Sequence, residues 1–329
     1  MAAKSISIIA PARLHFGLLS FGDADERQFG GTGLMLDEPA LHLYIEPADT
    51  LIIDADEALR HRIELFAKQW QGYHDIQDEL RCRIQLIRSP RQHTGLGLGT
   101  QLGLSVIEAL NRLHEFPTLG PSERAAIANR AKRSAVGTFG FQYGGFIVER
   151  GRVSSEPISS IDCRLDFPLD WRILLIQPQS GIGLSGPRES DAFQSAPVVP
   201  KDTTEQLIGL IRDHIIPAIT ARDFNSFSSS IGKYGNIAGS CFSSIQGGPY
   251  NGPELNERVE WLLHHGARGV GQSSWGPTLF SFFESSEDVD EFVQTLPQDT
   301  VNPLSLTVVQ ANNEGARITV SNDASTCST

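Results

Sequence analysis

Three alternating glycines at a strand-to-helix junction constrain this chain more than any other feature. They lie in His93-Thr94-Gly95-Leu96-Gly97-Leu98-Gly99-Thr100-Gln101, between an alternating run, Cys82–Arg88, that predicts a strand and an apolar periodicity over 99–114 that predicts a helix. Glycine permits positive φ and lets a ligand approach the backbone, and the following helix offers free N–H groups and the positive end of its dipole. Such a junction suits an anion, above all a phosphate. The same turn can serve only to seat a helix, so the surrounding residues have to decide.

The rest of the chain reads as interleaved strands and helices. Ser5–Ile9 is alternating and β-branched, and Pro11 is expected to end it in a turn that carries Arg13 and His15. A polar, glycine-rich loop is expected between Phe21 and Gly33, followed by strands at 41–46 and 51–54 and a helix over 57–70. A second helix after the glycine loop opens at Pro121, runs to Ala131 and ends in Lys132 and Arg133, and a strand follows at 144–148. Mixed polar composition with Pro157 and Pro168 places a boundary in 151–170, which gives an N-terminal unit of residues 1–160 and a C-terminal unit of 161–329. In the latter, 171–176, 279–283, 305–309 and 316–320 read as strands, and 203–219, 223–234, 253–265 and 287–296 as helices. Irregular interleaving without a repeat of roughly 20–50 residues predicts an α+β protein rather than a solenoid or a doubly wound sheet.

Composition narrows the ligands. A chain of 329 residues can bury a full apolar core without staples. Cys82, Cys163, Cys241 and Cys327 show neither CxxC pairing nor histidines at metal spacing, which predicts reduced thiols rather than disulfides or structural zinc. A net charge of −12 without a Lys/Arg block argues against nucleic acid and anionic membrane as partners, so a polyanion must be held locally by loops and a few arginines. No apolar run approaches the roughly 18 residues of a membrane span, and a cytoplasmic protein is expected.

Several separated segments point one way. Pro11-Ala12-Arg13-Leu14-His15-Phe16-Gly17-Leu18, the glycine loop, and Gly271-Gln272-Ser273-Ser274-Trp275-Gly276-Pro277-Thr278 stand in the order and spacing of the three signature motifs of the GHMP superfamily of small-molecule kinases, which the chain resembles. With Gly31-Thr32-Gly33-Leu34-Met35-Leu36-Asp37, Arg130–Phe139 and Ser185-Gly186-Pro187-Arg188-Glu189, the likeness narrows to the beta-ribofuranosylaminobenzene 5'-phosphate synthase family of tetrahydromethanopterin biosynthesis. It runs from about Ile6 to Val320.

This resemblance implies an α+β, GHMP-kinase-like two-domain fold with mixed and antiparallel sheets and helices packed on them. It implies that phosphoribosyl pyrophosphate is joined to 4-aminobenzoate or 4-hydroxybenzoate, with release of pyrophosphate and carbon dioxide. Arg13, His15, Arg133 and Thr138 are the expected catalytic positions. Phosphate and substrate contacts are expected at His93, Gly95, Gly97, Gly99, Thr100, Gln101, Gly137, Arg188, Gln272, Ser273, Ser274 and Trp275. Arg13 and His15 would bind an anion or cap a sheet edge; Trp275 would stack on the aromatic acceptor or sit in the core. Magnesium is the implied cofactor, with Asp37 and Glu108 as candidate ligands, whereas pyridoxal phosphate, haem and flavin are not implied. The partners are small molecules, and a homodimer is compatible with this reading.

Two departures bear on the chemistry. GHMP kinases usually carry serines in the second half of the glycine loop, one of which helps to hold magnesium, where this chain has Leu98 and Gly99. The synthases commonly keep the first serine, so Leu98 is unusual even among them and Thr100 is the nearest remaining hydroxyl. Many kinases also place an aspartate base in the turn equivalent to Val136-Gly137-Thr138, where only Thr138 is offered here. A substitution at a carboxylated ring carbon removes no ring proton and tolerates that loss. The rival readings are an ATP-dependent GHMP kinase and a non-catalytic relative that binds a phosphorylated ligand.

Overall fold

The computed structural model of the chain describes residues 4–23, 25–179, 191, 193–297 and 304–322. Two sheets carry it. The first is built on long antiparallel strands, β1 (Ser5–Ser20) and β2 (Phe29–Pro47), and has seven strands among the described residues. The end of β2 pairs with β4 (Cys82–Arg88), which holds the short parallel strand β3 (Ile52–Asp54). The start of β2 pairs with β5 (Phe146–Glu149), which in turn holds β6 (Ile161–Leu165). The last strand, β11 (Arg317–Ser321), returns to the free edge of β1. The second sheet is antiparallel, in the order β10 (Leu304–Val309), β7 (Arg172–Pro178), β9 (Leu279–Phe283) and β8 (Arg268–Gln272). The α+β class expected from the sequence is the one found.

Helices α1 (Glu57–Tyr73) and α2 (Leu98–Leu113) pack over the first sheet, joining Ile8, Leu43 and Ile84 to Phe66, Trp70, Leu102 and Leu110 in one core. The short helices α3 (Pro121–Ile127) and α4 (Val136–Tyr143) flank α2. Lys201–Gly209, a π-helical turn at Leu210–Ile215, and Ile216–Ala221 run as one helix, α5, and are followed by α6 (Phe224–Ser240). These two bury the other core against Phe16, Leu175 and Phe282. The one-turn helix α7 (Ser243–Gln246) comes next, then α8 (Pro253–His264) and α9 (Ser286–Thr295), which cover the outer face of the second sheet.

Three local expectations are corrected. Pro11 does not end the first strand: the register shifts between Ala10 and Ala12, and a bulge is where a strand tolerates a residue without an N–H. Arg13 and His15 therefore project from within β1. Gly30–Gly33 belongs to β2 rather than to a loop, because a Cβ at Gly31 or Gly33 would strike the carbonyl of Gly17 or Leu14 across the pair. The helix expected to reach Ala131 stops at Ile127, and Asn129 and Ala131 follow with φ of 52° and 61°. Lys132 and Arg133 consequently sit on an irregular turn, not at a helix end.

Leu98, the residue in place of the kinase serine, is a core residue, 5% exposed in the cluster beneath α2. Leu98→Ser is expected to cost about 2–5 kcal/mol, read as a lowered urea midpoint at unchanged m-value.

Candidate active site

The site is assembled where three distant segments touch. Ser273, fully buried after β8, donates its hydroxyl to the Gly95 carbonyl at 2.8 Å and accepts the His15 amide at 3.1 Å. Ser274, at φ 55°, donates its own amide to the His15 carbonyl at 3.1 Å. Arg13 Nη1 reaches the Gly95 carbonyl at 3.2 Å and the Arg13 amide donates to the Leu96 carbonyl at 3.1 Å, so β1 also grips the glycine loop. The contacts leave no room for side chains: a Cβ on Gly95 would overlap the Ser273 carbonyl, one on Gly276 the Thr94 carbonyl, and one on Gly97 would lie 2.7 Å from Arg13 Cγ. Gly97 is the N-cap of α2 with φ 79° and no side-chain cap, in contrast to α1, α6 and α9, which are capped by Asp56, Asp223 and Ser285. The Leu98 and Gly99 amides are thus left to face an anion, while the Thr100 amide turns back to the Gly97 carbonyl at 3.0 Å.

Beside this junction opens a cleft of about 690 Å³. Arg13, Arg130, Lys132 and Arg133 bring positive charge to its lining, and no Asp or Glu is among the described lining residues. Aromatic rings line it as well, from Phe29, Phe193, Phe242 and Trp275. The Trp275 ring lies edge-on 4.6 Å from Phe242 and 5.8 Å from Phe193, and Arg133 stacks its guanidinium 4.2 Å over Phe193. Trp275 is 7% exposed, so it is both part of a small aromatic core and part of the cleft wall. Thr100, Ser134, Gln272 and Ser274 supply polar groups.

Behind the cleft lies a buried titratable pair. His15 Nε2 is 2.9 Å from the Ser134 hydroxyl and 4.0 Å from Glu149 Oε1. Glu149, fully buried at the end of β5, accepts the Ala135 amide at 2.7 Å. Burial, reinforced by the Arg13 charge, lowers the His15 pKa to about 3, and burial raises that of Glu149 against the hydrogen bonds that favour its charged form. Near neutral pH the imidazole is therefore uncharged beside the cations of the lining.

The cleft thus gathers Arg13, His15, Thr100, Arg133, Gln272, Ser274 and Trp275 from the sequence-derived set. Gly95, Gly97 and Ser273 form the scaffold beneath it, and Gln101 donates to the Gly137 carbonyl at 2.9 Å, tying α2 to α4. Thr138 lies within α4, 2% exposed and off the lining, while His93 is exposed on the far side of the loop. Arg188 lies outside the described residues. The candidate metal ligands are occupied elsewhere: Asp37 accepts the Glu38 and Gln310 amides at 2.7 and 2.9 Å, and Glu108 pairs with Arg112 at 2.6 Å and Arg124 at 3.4 Å. Among the described residues no cluster of three His, Cys, Asp or Glu is arranged to hold a metal. Glu149, Arg130, Phe29, Phe193 and Phe242 were not in the expected set.

Comparison with known proteins agrees with this geometry. Residues 215–302 match the model of the GHMP kinases C-terminal family. The homoserine kinase from Cytophaga hutchinsonii superposes with a TM-score of 0.67 at 17% identity, over 96% of this chain and 97% of that one. The chain shares the fold of that kinase. In sequence, the chain is similar to proteins named beta-ribofuranosylphenol 5'-phosphate synthase. That of Methanothermobacter thermautotrophicus is 28% identical, over 94% of this chain and 97% of its own length, and that of Archaeoglobus fulgidus 27% identical, over 94% and 98%. No helix among the described residues is long and apolar enough to cross a membrane.

Two outcomes follow from the site. Gly97→Val adds strain at positive φ and pushes on Arg13, so a folded variant is expected to lose at least about tenfold in affinity for a phosphorylated donor by calorimetry; unchanged affinity would refute the loop assignment. The second concerns pH. An imidazole held at about 3 when folded and 6.5 when unfolded costs stability as pH falls through that window, because only the unfolded chain takes up the proton. The raised Glu149 carboxyl acts oppositely, costing stability as pH rises above 4.5. Between pH 4.5 and 3 the native protein should therefore lose about 1.4 kcal/mol per pH unit more than His15→Asn in urea titrations.

Proposed function

We propose that this chain condenses phosphoribosyl pyrophosphate with a para-substituted benzoate, forming a C-riboside 5'-phosphate with loss of pyrophosphate and carbon dioxide. The observation that carries the reading is the pairing of cationic and aromatic walls in one cleft whose described lining has no carboxylate. A polyphosphorylated sugar calls for cations and amides on one side, and a flat aromatic acid calls for an apolar wall on the other. In this reading the bond from the anomeric carbon to the diphosphate oxygen breaks, and the ring carbon that bears the carboxylate forms the new bond. The pair of electrons from the lost carboxylate returns to the ring. Arg13 and the uncapped amides of α2 take up the charge that develops on the departing diphosphate, an electrostatic contribution of the kind that dominates in water-poor sites. The neutral His15 leaves that cationic field undiminished and adds no charge against the ribosyl cation.

Magnesium fits the described lining poorly: its oxygen donors there are hydroxyls, side-chain amides and backbone, whereas the ion favours carboxylates. The counter-charge in this reading comes from the protein's own cations. The relatives' names contain a phenol, which favours 4-hydroxybenzoate over 4-aminobenzoate as the acceptor. Kinase chemistry is disfavoured by Leu98 in the core and by the absence of a carboxylate base among the described lining residues. With the carboxyl carbon labelled, 4-hydroxybenzoate and phosphoribosyl pyrophosphate are expected to release labelled carbon dioxide and one pyrophosphate per riboside. ATP consumption with a small alcohol, and indifference to phosphoribosyl pyrophosphate, would overturn the assignment.

A further inference from the structure

Gly99 carries the second departure from the kinases, and the reason lies on α1. A Cβ there would collide with Arg62 Nη2, and both Arg62 Cζ and Arg130 Nη2 lie 3.6 Å from the same point. Two guanidinium groups, one from α1 and one from the irregular turn after α3, thus converge on the first turn of α2. Arg130 is braced there, with its guanidinium 5.4 Å over the Phe66 ring, and it lines the cleft, as does Thr100 next to Gly99. Arg62 is different. Its hydrogen bond to Gln92 Oε1 is long, 3.5 Å, and no carboxylate pairs with it among the described residues. It is half-buried, and desolvation alone depresses its pKa. A desolvated guanidinium set against the positive end of a helix, with no carboxylate beside it among the described residues, is stabilised when an anion joins it.

We propose that Arg62 is a substrate-binding residue which, with Arg130, clamps a condensed phosphate over the first turn of α2. The occupant is a diphosphate, because two planar guanidinium forks set apart by a glycine can each take a phosphoryl group, and a single phosphate does not need both. This deepens the preceding reading, on which it rests for the identity of the donor: Arg62 occupies the side of Gly99 where a serine side chain would stand. Positive charge from α1 would then offset the diphosphate at a place where the described residues offer no carboxylate to a metal.

The test uses the full chain, with inorganic pyrophosphate and ribose 5-phosphate as separate calorimetric probes. Arg62→Gln is expected to weaken pyrophosphate binding by about tenfold or more while ribose 5-phosphate binding changes less than about twofold. Gly99→Ser keeps the arginine but displaces it, and should produce the same selective loss; it stands in if Arg62→Gln does not fold. Unchanged pyrophosphate affinity in either folded variant overturns the proposal, as does an equal loss for both probes. Because binding is read without turnover, failure to release carbon dioxide would refute the proposed reaction and leave the clamp intact.

Discussion

The hydroxyl of Ser273 is the interaction on which the site depends. It is fully buried and serves two backbone groups at once, the Gly95 carbonyl of the glycine loop and the His15 amide of β1. A bulge between His15 and Gly17 interrupts the β1 ladder, and the glycine loop belongs to no ladder, so both groups need a partner from elsewhere. One hydroxyl, donating and accepting, satisfies both and fixes three segments within hydrogen-bond distance. The glycines at 95 and 276 are what allow that approach, since any side chain at either place would enter a carbonyl. The anion junction is therefore held by tertiary contact rather than by the local geometry of the loop.

That rigidity lets the cleft gather positive charge. Arg13, Arg130, Lys132 and Arg133 share a lining without acidic residues among those described, in a chain whose net charge is −12. Glu149, 4.0 Å from His15, is sealed behind His15 and Ser134, where burial favours its neutral form. If it were ionised and exposed it would cancel part of the field that a phosphorylated ligand needs. Its burial, and the amide it takes from Ala135, instead hold in place the turn that presents Ser134 and Arg133.

Much of this was legible in the sequence because the residues concerned obey local rules. The glycines at the strand-to-helix junction read as positive-φ turn residues, and Gly95 and Gly97 are, at φ 86° and 79°. Arg13 and His15, read as a pair in a turn that would bind an anion or cap a sheet edge, both line the cleft, although from a strand rather than a turn. What was not legible depends on partners far along the chain. Glu149 ends a short apolar run and reads as the solvent-side end of a strand; only the pairing of β5 between β2 and β6 buries it. Arg62 reads as an ordinary polar position on an amphipathic helix, and nothing near it in sequence reveals that α1 points it at Gly99. Asp37 and Glu108, chosen as metal ligands by residue type, are satisfied by backbone amides and by arginines that sequence spacing alone did not single out.

The two residues that depart from kinase custom have separate physical meanings. Leu98 faces inward from the first turn of α2 and packs in the core under α1, so at that position a hydroxyl has been exchanged for apolar burial. Gly99 faces the other way and has been cleared for a guanidinium. A helix start that would present hydroxyls to a metal ion in one lineage presents bare amides and arginines here, and bare amides with arginines are donors suited to a leaving diphosphate. On the proposed reading, the same fold accepts a substrate that departs with its charge rather than one that hands a phosphoryl group on, with no rearrangement of the three segments that Ser273 ties together.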